Sequence, residues 1–433
     1  MLKTLRNAWG IAELRKKIIF TLFIILIYRL GNAVPVPYVN TTLLESYFNT
    51  VNNTILGLWN TMSGGSFSMA TIFALSIQPY INASIIIQLL TIAIPALERL
   101  AKEGGEEGRK KIASITRYTT VGIGLVMGIA YYTLIRNGFN NQSMLTSDGQ
   151  GIWPAIVIIM TFMAGSALIM WMGEQITEFG IGNGISIILF ASIVARFPSS
   201  IATMFTNMFN GSLAWWVVVL LLIGALAIII CIVIVNDAER RIPVQYSKRV
   251  VGRKLYGGQS THLPMKVNMS GVMPIIFAQT IASLPATVCA FVPGWSDSWV
   301  MVHLFNTDTV FYVVLYFLLI IAFSYFYSTI QFDPVEIANN LKKNGGFIPG
   351  FRAGKPTSEY IRKVLNKITL LGALYLGIVA AVPMLIGCFS NVPALSGISL
   401  GGTSIIIVVG VAIETVRAVE GQLLMRNYKG FLD

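Results

Sequence analysis

The sequence predicts an all-α polytopic membrane protein of ten transmembrane helices, and three observations carry that prediction. Of 433 residues, 55% are hydrophobic and only 12% charged, with a mean hydropathy of +0.70; such a balance makes lipid the solvent for most of the fold. Apolar runs close to the ~20 residues that cross a hydrocarbon core recur along the chain. Positive charge is confined to alternate connections: 27 of the 31 Lys and Arg residues fall in the two tails and three loops, all on one side if the helices alternate. Lysine and arginine are retained on the cytoplasmic side, so both termini are expected there.

Residues 1–17 form a basic cytoplasmic tail containing Lys3, Arg6, Arg15, Lys16 and Lys17. The first span, 18–37, runs through Arg29 into VPVPYVN without a small-residue cleavage site, so it reads as a retained helix and not a removable leader. Before the second span, 75–97, lies LWNTMSGGSFSMATIFALSIQPY. Its apolar patch at 69–77 is too short to cross, and Ser63, Gly64, Gly65, Ser66 and Ser68 are costly in lipid, so a short re-entrant helix sheltered by the bundle is expected. In the second span Ile81, Ile85 and Gln88 share one helical stripe with Ser84 at its edge, while Ile86 and Leu89 point elsewhere. The amides of Asn82 and Gln88 favour a wet interior over hydrocarbon.

A basic loop, 98–117, leads to the third, fourth and fifth spans at 118–135, 153–172 and 185–205; in the fifth, GNGISIILF stacks Ile185 and Leu189 four residues apart. The loop near residue 210 divides the spans into two halves, 18–205 and 214–420. Five is odd, so the second half enters the membrane from the opposite side, and such halves pack as an inverted pair around a central axis. The sixth span, 214–235, precedes a basic cytoplasmic loop, 236–268. The seventh, 269–291, contains MPIIFAQTIASLP, with Ile276 and Thr280 stacked; the eighth covers 309–330. A second basic loop, 331–367, separates it from the ninth, 368–388. The tenth, 401–420, opens GGTSIIIVVG, with Ile407 in its aliphatic run, and a cytoplasmic tail, 421–433, follows.

Attraction to anionic lipid explains the sign of the loops at 236–268 and 331–367 but not their length, which suits projecting hairpins that dock a large anionic partner. Aliphatic residues beside Gly, Ser, Thr or Gln in four spans permit a ring that pinches a water-filled cavity and seals it by excluding water and ions. Cys231, Cys289 and Cys388 stand isolated in apolar spans and read as packing residues, and His262 and His303 lie far apart, so neither metal nor cofactor is expected. GFIPGFRAGK has Pro349 where a phosphate-binding loop needs glycine and Pro356 where it needs Ser or Thr. An intramembrane enzyme needs a nucleophile with a base, or a metal cluster, and neither is visible. The alternative is a secondary transporter of a small solute, which requires ionisable ligands near mid-membrane. Glu414 and Arg417 read more simply as a structural pair or as interface anchors, and Arg29 and Arg196 have no obvious partner in the sequence.

Five segments, SGGSFSMATIFALSIQPYINASIIIQLL, WMGEQITEFGIGNGISIILF, STHLPMKVNMSGVMPIIFA, NLKKNGGFIPGFRAGKPTSEYI and LGGTSIIIVV, resemble the SecY family of protein-conducting channels in order and spacing, over nearly the whole chain. The resemblance implies an hourglass pore with Ile81, Ile85, Ile185, Leu189, Ile276 and Ile407 at its neck. It implies a plug beneath the neck built from Asn60, Thr61, Met62, Ser63, Gly64, Gly65, Ser66, Phe67, Ser68, Met69, Ala70 and Thr71. It also implies a lateral gate between the second and seventh spans, with Asn82, Gln88, Gln279, Thr280 and Leu284, through which signal sequences and membrane spans reach lipid. On the cytoplasmic side it assigns partner binding to Arg240, Arg241, Lys248, Arg249, Arg253 and Lys254 of the first hairpin and to Arg352 of the second. The implied partners are ribosomal RNA phosphates, the SecA motor ATPase, the membrane subunits SecE and SecG, nascent secretory or membrane polypeptides and anionic lipids, in a bacterial cytoplasmic membrane. Where the family commonly has proline after that arginine, Ala353 stands here, which keeps the charge but implies a less rigid turn.

Overall fold

The computed structural model describes residues 9–50, 55–102, 104–138, 143–211, 214–246, 249–251, 254–256, 260–269, 271–291, 309–389 and 401–429. Helix α1 (Ala12–Gly31) starts six residues before the expected span and takes Arg15, Lys16 and Lys17 out of the tail into its first turns. Their long stems let such charges reach a polar interface from a helix end. Pro35 lies in the extended chain beyond it and Pro37 opens the next turn, and the chain between bonds inward, with Val36 N donating to Ala70 O at 2.9 Å and Ile72 N to Val34 O at 3.0 Å.

Two short helices follow, α2 (Thr41–Thr50) and α3 (Ile55–Met62). The helical part of this segment is α3, and residues 63–77 run as successive turns. The backbone explains why, since Gly64, Gly65, Ala70 and Ser76 all have positive φ (71°, 91°, 43° and 49°), which interrupts a right-handed helix at each point. Helix α4 (Gln78–Ala93) then meets Pro95, and the chain bends by 105° into α5 (Pro95–Lys102). Proline disfavours helical geometry in the residue before it, here Ile94, which is extended.

The expected basic loop at 98–117 is mostly helical. After a break at Gly104 and Gly105, α6 (Gly105–Asn137) runs for 33 residues and carries Arg109, Lys110 and Lys111. Then come α7 (Ile152–Phe179), α8 (Gly184–Phe209), whose Asn183 side chain accepts from Ile185 N at 3.1 Å, and α9 (Trp215–Asp237). The C-terminal half continues with α10 (Met273–Phe291), α11 (Val310–Gln331), α12 (Pro334–Lys343), α13 (Lys355–Phe389) and α14 (Gly401–Lys429). Helix α13 extends thirteen residues ahead of the expected ninth span, and α14 continues through most of the expected tail.

Among the described residues, seven helices are long and apolar enough to cross a membrane, or eight if the bent α4–α5 pair counts as one. Helices α1 and α10 lie where the first and seventh spans are expected. One continuous apolar core joins residues of α1, α3, α4, α6, α7, α8, α10, α11, α13 and α14. Helix α9 is apolar on every side, and in it only Val218 and Ile232 are buried; with no amphipathic face to choose, it turns most of its surface to lipid.

The two long loops depart from an all-helical reading. Strands β1 (Glu239–Tyr246) and β4 (Ser260–Lys266) pair antiparallel, and β2 (Arg249–Val251) and β3 (Lys254–Tyr256) form a second antiparallel pair between them. From the second loop β5 (Gly346–Phe347) pairs with Gln245 and Tyr246 of β1, so the loops form one body. Ile242 and Val244 alternate inward on β1 and share a small core with Met265, Leu341, Ile348, Ile361 and Leu365.

Candidate functional site

The stripe read on the second span is real in α4: Ile81 and Ile85 are buried, while Ile86 and Leu89 are 43% and 38% exposed. Leu189 of α8, Ile276 of α10 and Ile407 of α14 are buried in the same core, with half-buried Ile185 packed against it. Backbone fit sets the position of α8: a Cβ on Gly184 would stand 1.9 Å from Gly173 O of α7, so only glycine permits this approach. Four helices, drawn from both halves, thus supply these aliphatic side chains to one shared core. Aliphatic contacts are non-directional, so they part without leaving a hydrogen-bonding group unpaired.

Against this core sits the segment from α3 to Thr71. Its polar groups are satisfied largely from within: Ser63 Oγ donates to Asn60 O (3.1 Å) and accepts from Phe67 N (3.1 Å), Asn60 Oδ1 accepts from Ser68 N (3.0 Å), and Ser68 Oγ donates to Gly65 O (2.9 Å). Thr71 Oγ1 donates to Ser66 O at 3.4 Å. A knot with its own hydrogen bonds can leave its seat without exposing them. Ala70 and Phe67 are buried, the Phe67 ring stacks on Tyr131 of α6 at 4.3 Å between centroids, and the Tyr131 hydroxyl donates to Phe67 O; Met69 alone of the twelve is exposed.

Helix α8 holds the segment from the other side. Arg196 Nη1 donates to Thr61 Oγ1 at 3.3 Å, giving a partner to an arginine that had none in the sequence. Gly64 packs so closely that a Cβ there would lie 2.7 Å from Ser192 O, at a φ of +71°. Gly64→Ala is therefore expected to lift the segment from α8 and to destabilise its seated state by about 1–3 kcal/mol. Increased reactivity of a cysteine introduced at the buried Phe67 position would register that shift.

A seam runs between α4 on one side and α10 with α11 on the other. Tyr327 Oη of α11 donates to Gln88 Oε1 at 2.6 Å. Deeper in the molecule, Gln78 Nε2 of α4 and Gln279 Nε2 of α10 both donate to Met62 Sδ, at 3.2 and 3.4 Å. Asn82 Nδ2 reaches Met127 Sδ of α6 at 3.8 Å, and Thr280 Oγ1 donates to Ile276 O of its own helix at 2.8 Å. Asn82 Oδ1 and Gln279 Oε1 are buried and, among the described residues, accept no hydrogen bond. Leu284 is 44% exposed on α10, away from these contacts. Sequence reasoning missed Gln78, Tyr131 and Tyr327. A tyrosine inside an apolar span is a usable signal, because its buried hydroxyl needs a partner.

At the basic end, Arg240 and Arg241 are exposed on β1, Arg241 pairing with Glu239 of its own strand at 2.6 Å. Arg249 and Lys254 lie on β2 and β3; Lys248 and Arg253 lie outside the described residues. Arg352 is exposed in the turn before α13. That turn is fixed without proline: Gly350 and Gly354 have φ of +88° and +104°, Thr357 Oγ1 donates to Arg352 O at 2.8 Å, and the Phe351 and Tyr360 rings stack at 4.2 Å.

Glu414 and Arg417 stand close enough to interact and each also anchors a neighbouring element. Arg417 Nη2 reaches Asp237 Oδ1 (2.6 Å) and Asn236 O (2.7 Å) at the end of α9. Glu414 lies against Gly271 and takes the Val272 N–H at the start of α10. Burial and the adjacent Arg417 guanidinium lower the pKa of Lys266, at the end of β4, from the ordinary lysine value. The charges thus tie the sheet to α9, α10 and α14. Among the described residues no three His, Cys, Asp or Glu side chains gather as a metal site.

A family model described as SecY matches residues 71–416. The protein translocase subunit SecY of Streptomyces scabiei is 44% identical over 447 aligned residues, covering 100% of both chains. A solved structure described as one in which the plug domain of the SecY protein stabilizes the closed state of the translocation channel and maintains a membrane seal matches with a TM-score of 0.64 and 15% identity, over 94% of this chain and 91% of that one. Sec61 in the canine ribosome–channel complex from the endoplasmic reticulum matches with a TM-score of 0.56 and 14% identity, again over 94% and 91%. At such identities the structural matches speak for the fold.

Proposed function

Because this chain belongs to the SecY family, we propose that it conducts unfolded secretory polypeptides across the bacterial cytoplasmic membrane and releases transmembrane segments sideways into lipid. It is a protein-conducting channel subunit and not an enzyme. In this reading the two halves pack as an inverted pair. The collar of Ile81, Ile85, Ile185, Leu189, Ile276 and Ile407 is the neck, residues 60–71 are the plug, and the seam between α4 and α10 is the lateral gate. The basic end and both termini face the cytoplasm, where the joined hairpins meet the ribosome or the SecA motor; SecE and SecG pack from lipid. Sec61, similar in fold, is described in a ribosome–channel complex, which supports a ribosome among the partners.

One observation carries the proposal: buried aliphatic side chains of α4, α8, α10 and α14 share one core, and an internally bonded segment is lodged against it. A dry ring blocks ions yet stretches around a moving chain. Exit through the gate then follows partition energies, central Leu or Ile favouring lipid by roughly 0.3–0.6 kcal/mol each and central Asp or Lys opposing it by about 2.5–3.5. A small-solute transporter needs ionisable ligands near mid-membrane; Arg196 bonds Thr61 and Arg417 bonds Asp237, which favours structural roles for these two. The test is a stalled secretory precursor with a photo-crosslinker in mid-chain. Crosslinks are expected at Ile81, Ile85, Ile276 and Ile407; crosslinks that bypass the collar would overturn the assignment.

A further inference from the structure

Met62 is the place where plug, α4 and α10 meet. Its sulfur accepts from Gln78 Nε2 and Gln279 Nε2, and all three side chains are buried. Packing alone does not call for this arrangement, since leucine fills nearly the same volume. A thioether is a weak acceptor, but in a dry setting the alternative for each amide N–H is an unpaired donor. Gln279 already carries one unpaired atom, its Oε1. Geometry adds a constraint: both donors reach one sulfur only while their nitrogens are no further apart than the two N–S distances laid end to end. The double contact therefore exists only with the seam closed.

The other plug contacts behave differently. Thr61 and Gly64 rest on α8, and Phe67 rests on α6, all within the N-terminal half that also carries α4. Of these four residues, Met62 is the one that hydrogen-bonds to α10. Moving α10 away from α4 leaves the seats of Thr61, Gly64 and Phe67 in place but removes at least one N–H···S bond.

We propose that Met62 is a positioning residue that latches the plug to the closed gate, so that parting the gate loosens the plug and a displaced plug eases the gate. The coupling is reciprocal, as any equilibrium linkage must be. It rests on the channel reading above and adds to it the side chain through which plug and gate sense one another.

The test uses the complete translocase in planar bilayers, with conductance measured as a synthetic signal peptide is titrated in. Met62→Leu keeps the bulk and removes the acceptor. Half-opening is expected at a peptide concentration about three- to tenfold lower than in the wild type, the effect of losing one or two weak hydrogen bonds. Gln279→Leu should give the same shift, and the double variant no more than either alone, because both remove one bridge. Additive shifts, or a silent Met62→Leu in a channel that assembles, overturn the latch while leaving the channel reading intact. Should Met62→Leu fail to assemble, Gln279→Leu with and without Gln78→Leu decides: the bridge predicts no further shift from the second change, and an independent shift overturns it. A wild-type complex that never opens to the peptide sinks both readings.

Discussion

Changing Ile85 and Ile276 together to glycine is expected to raise the resting ion conductance of the reconstituted channel by at least about tenfold, which asks for only ~1.4 kcal/mol off the barrier to ions. The two side chains come from the helices on opposite sides of the seam, and both are buried in the shared core. Hydrophobic constrictions hold back ions by staying dry, and removing two of the largest aliphatic groups lets water bridge the gap. Buried Asn82 Oδ1 and Gln279 Oε1, each without a partner, offer that water acceptors. Large-to-small changes in a core cost about 2–5 kcal/mol each, and glycine in a helix costs roughly 1 kcal/mol more than alanine, so assembly must be checked by matched protein yield. Ile86→Gly with Leu89→Gly carries the same helix penalty on the exposed face of α4 and should leave conductance at the wild-type level. Unchanged conductance in the Ile85 and Ile276 variant, with normal assembly, removes both residues from the seal.

The contrast between those two pairs shows what was legible in the sequence. A helix turns 100° per residue, so once a span is recognised its stripe follows, and Ile81 with Ile85 separates from Ile86 with Leu89. Lipid demands long apolar runs, which made span locations readable; nothing comparable marks their ends. Helix α6 runs back over Arg109, Lys110 and Lys111, and α13 begins at Lys355, because lysine and arginine are good helix formers and the first real interruptions are the glycines at 104 and 105 and the turn at 350–354. The glycine and serine content of 60–71 pointed to a sheltered segment, and most of it is buried, while positive φ at Gly64, Gly65, Ala70 and Ser76 breaks 63–77 into turns. Hairpins were expected in the two basic loops, but β2 and β3 have three residues each and β5 only two, too few to show an alternating pattern. Least legible were the ties across the seam: Tyr327 to Gln88 spans 239 positions and Gln279 to Met62 spans 217, and no local pattern encodes a partner so distant.

Reversing Arg352 to glutamate is expected to cut SecA-driven export of a secretory precursor by about tenfold or more while the channel assembles normally. The guanidinium is exposed and, among the described residues, makes no ion pair, so the fold does not depend on its charge. The Arg352 carbonyl, held by the Thr357 hydroxyl, and the Phe351–Tyr360 stack do the local structural work, and glutamate leaves both in place. Exposed substitutions of this kind stay within about 0.5 kcal/mol in stability, whereas losing one partner of a hydrogen-bonded charge pair at an interface costs about 2–5 kcal/mol. Lysine at the same position keeps the charge but not the planar fork that grips a carboxylate or phosphate at two points, so Arg352→Lys should fall between the wild type and Arg352→Glu. Added salt should narrow the gap between Arg352→Glu and wild type if long-range attraction dominates, and leave it wide if a desolvated contact does. Export at the wild-type rate would remove Arg352 from the docking surface and shift the proposed motor contact to the arginines of the β1–β4 hairpin.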